Sequence, residues 1–425
     1  MKLVHAADLH IDSPLQGLTK YAHAPVDRIR GATRAAVVNL VDLCIDEGAA
    51  ALLLAGDIFD GDWKDYSTGI FFVSEMTRLR DAGVKVFSVR GNHDAANKMG
   101  RRLKLPENVE EFATDAARTI AAEELGLAVH GQGFAQRVVD EDLARDFPDA
   151  VSGLFNVGLL HTSLDGRPGH APYAPTSTAV LTSKGYDYWA LGHVHQREVI
   201  QRDPYIVYPG NLQGRHARET GPKGATVITV DGGRLEVTDV SHRPLDVVRW
   251  AQVTVDASAC PHTDDVLEAA RDALEAASLE ACQDGHPRLL CARVTIEGQS
   301  GAHDALHSEA ERWLHDLRAM GADLDDCWVE KVRLKTTGVL DLEGLAAQDD
   351  ALGALFRRLG ELEADPDALA AHAEDLREEM MKLPREAREG LDGIRLDDPD
   401  YLEGALEDVT QLLIPRLLTA RSEEP

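Results

Sequence analysis

Five short polar clusters in this chain hold residue types that bind cations and move protons: Asp8-Leu9-His10, Gly56-Asp57, Gly91-Asn92-His93-Asp94, His161, and Gly192-His193-Val194-His195. Each directly follows an apolar run. Singly they are weak signals, because Gly, Asn and Asp dominate turns for backbone reasons and a lone histidine is more often structural. Five in chain order, each at the end of a run, point to a metal site. Oxygen and imidazole donors without cysteine suit manganese, iron or zinc rather than a thiolate centre. Their number fits two ions, and a carboxylate such as Asp57 can bridge them through its two oxygens. Ions held roughly 3.5–4 Å apart clamp the attacking and leaving oxygens of a phosphoryl group and acidify a bound water, so the chemistry implied is hydrolysis of phosphate esters.

The runs that must position these clusters are Leu3 to Ala7, Ala51 to Ala55, Val84 to Val89, Leu127 to His130, Phe155 to Leu160 and Tyr188 to Leu191. Short and apolar, several of them rich in β-branched residues, they read as buried strands. Helical stretches around Thr33 to Glu47 and Thr68 to Ala82 lie between the early ones, an alternation that predicts an α/β layered sheet. Open α/β sheets bind ligands at the carboxyl ends of their strands. All five clusters are therefore expected at the same edge of one sheet. Beyond Tyr205 the helices stop, and "GATVITVDGGRLEVTDV" predicts a hairpin turning at Asp231-Gly232-Gly233.

Near His242 the order becomes β-α-β-α-β, with strands at Val253 to Val255, Leu289 to Ile296 and Trp328 to Leu334 and helices over Asp264 to Ala277 and His307 to Met320. Residues 1–240 and 245–337 are thus expected to form separate α/β domains. From about Leu340 the chain is acidic and helical. Leu352, Leu355, Phe356, Leu359 and Leu362 make one apolar stripe at helical spacing. Leu369, Leu376, Met380 and Leu383 make a second up to Pro384, with Asp365 as N-cap and Pro366 in the first turn. Such stripes serve either the chain's own core or a partner.

A length of 425 residues implies two or three domains, and 44% apolar with 28% charged residues is a globular composition. The net charge of −29 argues against gripping nucleic acid with the whole surface, though not against a local basic groove. Two groups could supply one: Lys98, Arg101, Arg102 and Lys104, and Arg215, His216, Arg218 and Lys223. Five cysteines, Cys44, Cys260, Cys282, Cys291 and Cys327, are odd in number and lack C-x-x-C spacing, which reads as reduced thiols in a cytoplasmic protein. No segment reads as a membrane span or a signal-peptide core.

The ordered set "DLH", "GDIFD", "GNHD", "HTS" and "GHVH" resembles the calcineurin-like metallophosphoesterase superfamily, specifically its DNA repair nuclease branch of the SbcD and YhaO type. "HTSLDGRPGHAPYAP", "KGYDYWALGHVH" and "YPGNLQGRH" are particularly similar to the YhaO type. The resemblance implies a layered metallophosphoesterase sheet sandwich flanked by helices, with a small α/β cap domain over residues 245–337 and a C-terminal helical segment over 340–425. It implies two divalent ions, manganese first with iron or zinc as alternatives. Asp8, His10, Asp57 and His195 would hold one; Asp57, Asn92, His161 and His193 the other. His93 would serve the leaving oxygen as general acid, and Asp94 would orient it or merely cap the turn. Archaeal and eukaryotic relatives carry a histidine where this chain has Asp60, while bacterial members often carry aspartate, so only a role tied to that histidine fails to carry over. His170 is better read as a surface histidine. The activity implied is a DNA exonuclease or endonuclease; the alternatives are a phosphoesterase for a small nucleotide or phosphoprotein, and a scaffold with a decayed site. The partners implied are DNA and a coiled-coil SMC-like ATPase docked on the C-terminal helices, with no membrane and with a homodimer left open.

Overall fold

The computed structural model describes residues 1–13, 25–61, 66–97, 103–165, 173–324, 326–338, 346–347, 349–380, 382, 394–396, 398–406 and 408. The chain runs through β1 (Lys2–Ala6), α1 (Val26–Asp46), β2 (Ala51–Leu54), α2 (Ser67–Asp81), β3 (Lys85–Ser88), the short α3 (Asn92–Ala96), β4 (Val109–Glu111), β5 (Arg118–Ala122), β6 (Leu127–Gly131), β7 (Phe155–His161), α4 (Thr178–Ser183) and β8 (Tyr188–Gly192). It continues through β9 (Glu198–Arg202), β10 (Tyr205–Tyr208), β11 (Gly224–Asp231), β12 (Glu236–Pro244), β13 (Val248–Asp256), α5 (Thr263–Ala281), β14 (Leu289–Gln299), α6 (His303–Ser308), α7 (Ala310–Asp323), β15 (Cys327–Thr337), α8 (Ala351–Ala364) and α9 (Pro366–Met380).

Two six-stranded sheets carry the first part of the chain, in the orders β12-β11-β1-β2-β3-β4 and β5-β6-β7-β8-β10-β9. Each is parallel at its centre and antiparallel toward one or both edges. The sequence expectation of one sheet is corrected here: β1, β2 and β3 belong to the first sheet, whereas β7 and β8, which bring the later histidines, belong to the second. The two-residue period of a strand sorts the side chains into three apolar layers. Val4, Ala6, Leu52, Leu54 and Val86 pack against Val37, Leu40 and Val41 of α1 and Phe72, Met76 and Leu79 of α2. Leu3, Leu53 and Phe87 point the other way, onto Leu127, Val129, Val157, Leu159 and Tyr188 of the second sheet. Leu160, Trp189, Leu191 and Ile206 cover that sheet's outer face with Leu181 of α4. Strands buried on both faces are apolar at most positions, which is why they read as near-continuous runs.

The chain divides into two compact units, one of residues 1–252, 276–293 and 324–330, the other of 253–275, 294–323 and 331–425. The division cuts each strand of the three-stranded sheet β13-β14-β15. The second unit buries Val266, Ala270 and Leu274 of α5, Val294 and Ile296 of β14, and Trp313 and Leu317 of α7. The helix expected over His307 to Met320 is two, broken between Ser308 and Ala310. The Asp231 carboxylate accepts from the backbone of Gly233 at 2.8 Å, closing the β11–β12 hairpin. Asp365 accepts from the amides of Asp367 and Ala368, each at 3.1 Å, and so caps α9 with Pro366 as its first residue. On α8 Phe356 and Leu362 are buried, whereas Leu376 on α9 is exposed; Leu383 and Pro384 lie outside the described residues. All five cysteines are free thiols. No helix among the described residues is long and apolar enough to cross a membrane.

Candidate metal centre

All five clusters of the sequence converge where the strand ends of the two sheets meet. Asp8 and His10 follow β1, Asp57 follows β2, Asn92 opens α3 after β3, His161 ends β7, and His193 and His195 follow β8. Asp8, His10, Asp57 and His193 have φ of 52°, 44°, 52° and 104°, a left-handed backbone that non-glycine residues rarely adopt. Strain of this kind clusters at functional sites. The loops curl the side chains back over the strand ends instead of letting them run on.

His193 N–H donates to Asp8 Oδ2 at 2.9 Å, which leaves Asp8 Oδ1 buried with no hydrogen-bond donor among the described residues, 3.9 Å from His10 Nε2 and 3.6 Å from His195 Nε2. His10 Nε2 and His195 Nε2 face each other at 3.3 Å. His93 N–H donates to Asp57 Oδ1 at 2.9 Å, turning Asp57 Oδ2 between His10 Nε2 at 3.9 Å and His161 Nε2 at 3.5 Å. Gly91 permits that approach: a Cβ there would lie 2.2 Å from Asp57 Oδ1. His161 donates from Nδ1 to the Ala55 carbonyl at 2.9 Å, so its Nε2 lone pair faces Asn92 Oδ1 at 3.0 Å. The His193 ring stands 5.2 Å from that of His161.

These contacts set acceptors against acceptors. Burial, and then the charge of Asp57, holds the Asp8 carboxyl well above the usual range, and burial likewise raises Asp57. Burial lowers His161 to about 3 and keeps His10 far below an ordinary histidine, so both imidazoles are neutral. Buried carboxylates beside lone pairs are costly unless a cation compensates them. An oxygen and imidazole set of this kind fits divalent metal ions. Three groups, Asp8 with His10 and His195, Asp8 with Asp57 and His161, and His10 with Asp60 and His93, place ligand atoms within 4.8 Å of one another.

His93 lies at the rim, its side chain 34% exposed and its Nδ1 2.7 Å from Asp60 Oδ1. Burial alone would lower its pKa, but the Asp60 hydrogen bond and the charges of Asp57 and Asp60 outweigh it, and the ring is raised. Asp60 is held at about 2 because hydrogen bonds from His93 and from Ser13, the latter at 2.6 Å, overcome its own burial. Of the two roles left open for Asp94, orienting His93 or capping the turn, its contacts fit the second. The Asp94 carboxylate accepts instead from the backbone amides of Phe59 at 2.9 Å, Gly91 at 3.1 Å and Ile58 at 3.2 Å. Consecutive helical side chains diverge by about 100°, so Asp94 turns to the backbone while His93 turns to the rim.

The second basic group divides. Arg215 and Lys223 turn inward, Arg215 Nη1 lying 3.9 Å from Asp60 Oδ2 and Lys223 Nζ donating to the His195 carbonyl at 2.9 Å, while Arg218 is exposed. Of the first group Lys104 is exposed, and Lys98, Arg101 and Arg102, like His170, lie outside the described residues. Sequence reasoning named Asp60, in "GDIFD", but gave it no role, and it missed Glu219, which accepts from His195 Nδ1 at 2.7 Å and carried no signal.

Residues 1–197 match the calcineurin-like phosphoesterase family, and residues 250–337 match the middle domain of the metallophosphoesterase YhaO. The metallophosphoesterase YhaO of Bacillus subtilis is 32% identical over 302 residues, 70% of this chain and 72% of that protein. The DNA double-strand break repair protein Mre11 of Sulfurisphaera tokodaii is 25% identical over 237 residues, 51% of this chain and 58% of its own. The protein of that name from Haloferax volcanii is 23% identical over 412 residues, 95% and 84% of the two chains. The chain belongs to the calcineurin-like metallophosphoesterases, in their YhaO-type branch.

Proposed function

We propose that this phosphoesterase is a DNA nuclease that hydrolyses phosphodiester bonds with two divalent ions, manganese foremost. The observation that carries the reading is the pairing of His93 with Asp60 at 2.7 Å on the rim of the donor cluster, which keeps a proton available to a leaving oxygen. The similarity to two proteins named for DNA double-strand break repair supports DNA as substrate. Asp8, His10, Asp57 and His195 would hold one ion and Asp57, Asn92, His161 and His193 the other. When bound, the pair supplies Lewis-acid polarisation of the phosphoryl group. The chain supplies the rest. Asp57 presents Oδ2 to both histidine groups because His93 N–H anchors Oδ1. His93 donates its proton to the departing oxygen, a contribution of roughly 10²–10⁴ in rate, and Asp60 holds its ring. Arg215, beside Asp60, offers a guanidinium to a phosphate oxygen.

The test is an assay of manganese-loaded protein on labelled single- and double-stranded DNA beside bis-p-nitrophenyl phosphate. Cleavage of DNA is the expected result. Hydrolysis of the small diester with DNA left intact would replace the nuclease reading by a phosphoesterase for a small nucleotide or phosphoprotein. Inertness toward both would sink each.

A further inference from the structure

Four groups enclose His195 without belonging to either ligand set. Glu219, 7% exposed, sits with Oε1 2.7 Å from His195 Nδ1. Its Oε2 accepts from Arg215 N–H at 2.7 Å and Asn211 Nδ2 at 3.0 Å, so the carboxylate cannot rotate away. Arg215 Nη2 reaches Glu219 Oε1 at 3.2 Å and also lies 3.3 Å from His195 Nδ1. Lys223 Nζ holds the His195 carbonyl at 2.9 Å.

Among the described residues, two neighbours of Nδ1 demand opposite tautomers. Arg215 can only donate, which would require a lone pair on Nδ1 and put the ring proton on Nε2. Glu219 as a carboxylate can only accept, which requires the proton on Nδ1 and leaves Nε2 with its lone pair. The shorter, charge-assisted contact decides. The exposed lone pair then faces Asp8 Oδ1 at 3.6 Å and His10 at 3.3 Å. The geometry points to Glu219 as a positioning residue that selects the metal-binding tautomer of His195 and thereby makes this the tighter of two unequal ion positions. His161 is steered by a neutral carbonyl, that of Ala55, instead. A carboxylate behind a histidine raises its basicity as a ligand more than a carbonyl does, and losing such a partner costs about 10- to 100-fold in metal affinity. The inference rests on the two-ion reading above and assigns the inequality within it.

The experiment titrates metal-free protein with Mn2+, counting bound ions by the loss of the free-ion paramagnetic signal, for wild type, Glu219→Gln, His195→Ala and the double variant. Wild type is expected to fill in two steps. Glu219→Gln should weaken the tighter step at least tenfold, leave the weaker step within about twofold, and move the His195 ring nitrogen shifts of the metal-free protein toward the Nε2–H tautomer. In the His195→Ala background Glu219→Gln should change nothing further, since it acts through that ring. Unchanged affinities with an unchanged tautomer in Glu219→Gln overturn the inference, as does additive weakening in the double variant. A wild type that takes up no Mn2+ removes the two-ion reading itself, and this inference with it.

Discussion

His5 should make the first unit acid-sensitive well above the pH at which carboxylates titrate. It is fully buried between the two sheets, with Nε2 3.1 Å from the Leu191 carbonyl and Nδ1 3.1 Å from the Tyr188 hydroxyl. The carbonyl fixes the ring proton on Nε2, and Tyr188 donates to Nδ1, so a neutral ring is fully satisfied. A second proton would place a donor against a donor and a charge in a dry layer. Burial accordingly lowers the pKa from 6.5 to about 3, only partly opposed by the Leu191 hydrogen bond. For a lowered histidine the unfolded chain takes up the proton first, so the contribution is complete above pH 6.5 and is lost as pH falls toward 3. Proton linkage gives a loss of ~2 kcal/mol at pH 5, approaching ~5 kcal/mol below pH 3, against a typical total of about 5–15 kcal/mol. His5→Gln keeps a donor for Leu191 and an acceptor for Tyr188 but does not titrate. Urea unfolding of both chains in chelator at pH 7 and pH 5 cancels every other group in the difference. That difference should contract by ~2 kcal/mol between the two pH values; a difference that stays constant refutes the assignment of a neutral, unprotonatable His5.

Four further variants separate the roles within the centre. Asp57→Ala should abolish bound metal and turnover together, whereas His93→Asn should keep its metal and lose turnover by about 10²–10⁴-fold; metal analysis beside diester kinetics checks both. Asp60→Asn removes the partner that raises His93, so the protonated acid should disappear at lower pH and the alkaline limb of the kcat profile should move down. Asp94→Ala should leave that limb in place and instead lower the unfolding free energy by at least about 2 kcal/mol, because three buried amides lose their acceptor.

The sequence exposed the metal donors because each follows an apolar strand abruptly, as in Leu52-Leu53-Leu54 leading to Asp57 or Leu159-Leu160 to His161. What it could not reveal was that these strands build two sheets. A parallel strand covered on both faces is apolar on both, with few exceptions, and its residues say nothing about which strand lies beside it. Edge strands were missed for the opposite reason: β4 and β9 are half exposed, with no apolar period to find. Helix α1 begins at Val26 rather than near Thr33, and it carries Gly31, which weakens a helical pattern, in its interior. Asp94 adjoins His93 in sequence while Asp60 comes from the loop after β2, and no pattern tells which carboxylate reaches the His93 ring. Glu219 lies 24 positions from His195 in a loop without periodicity, and only the folded chain joins them.

The left-handed backbone at Asp8, His10, Asp57 and His193 sets function against durability. Each such residue costs of order 1–3 kcal/mol that glycine would not. A chain freed from the need to bind metal would therefore gain stability by exchanging these residues for glycine, one after another. The same arithmetic offers the engineer a hardened, inert scaffold of the same shape, suited to holding a substrate without cutting it.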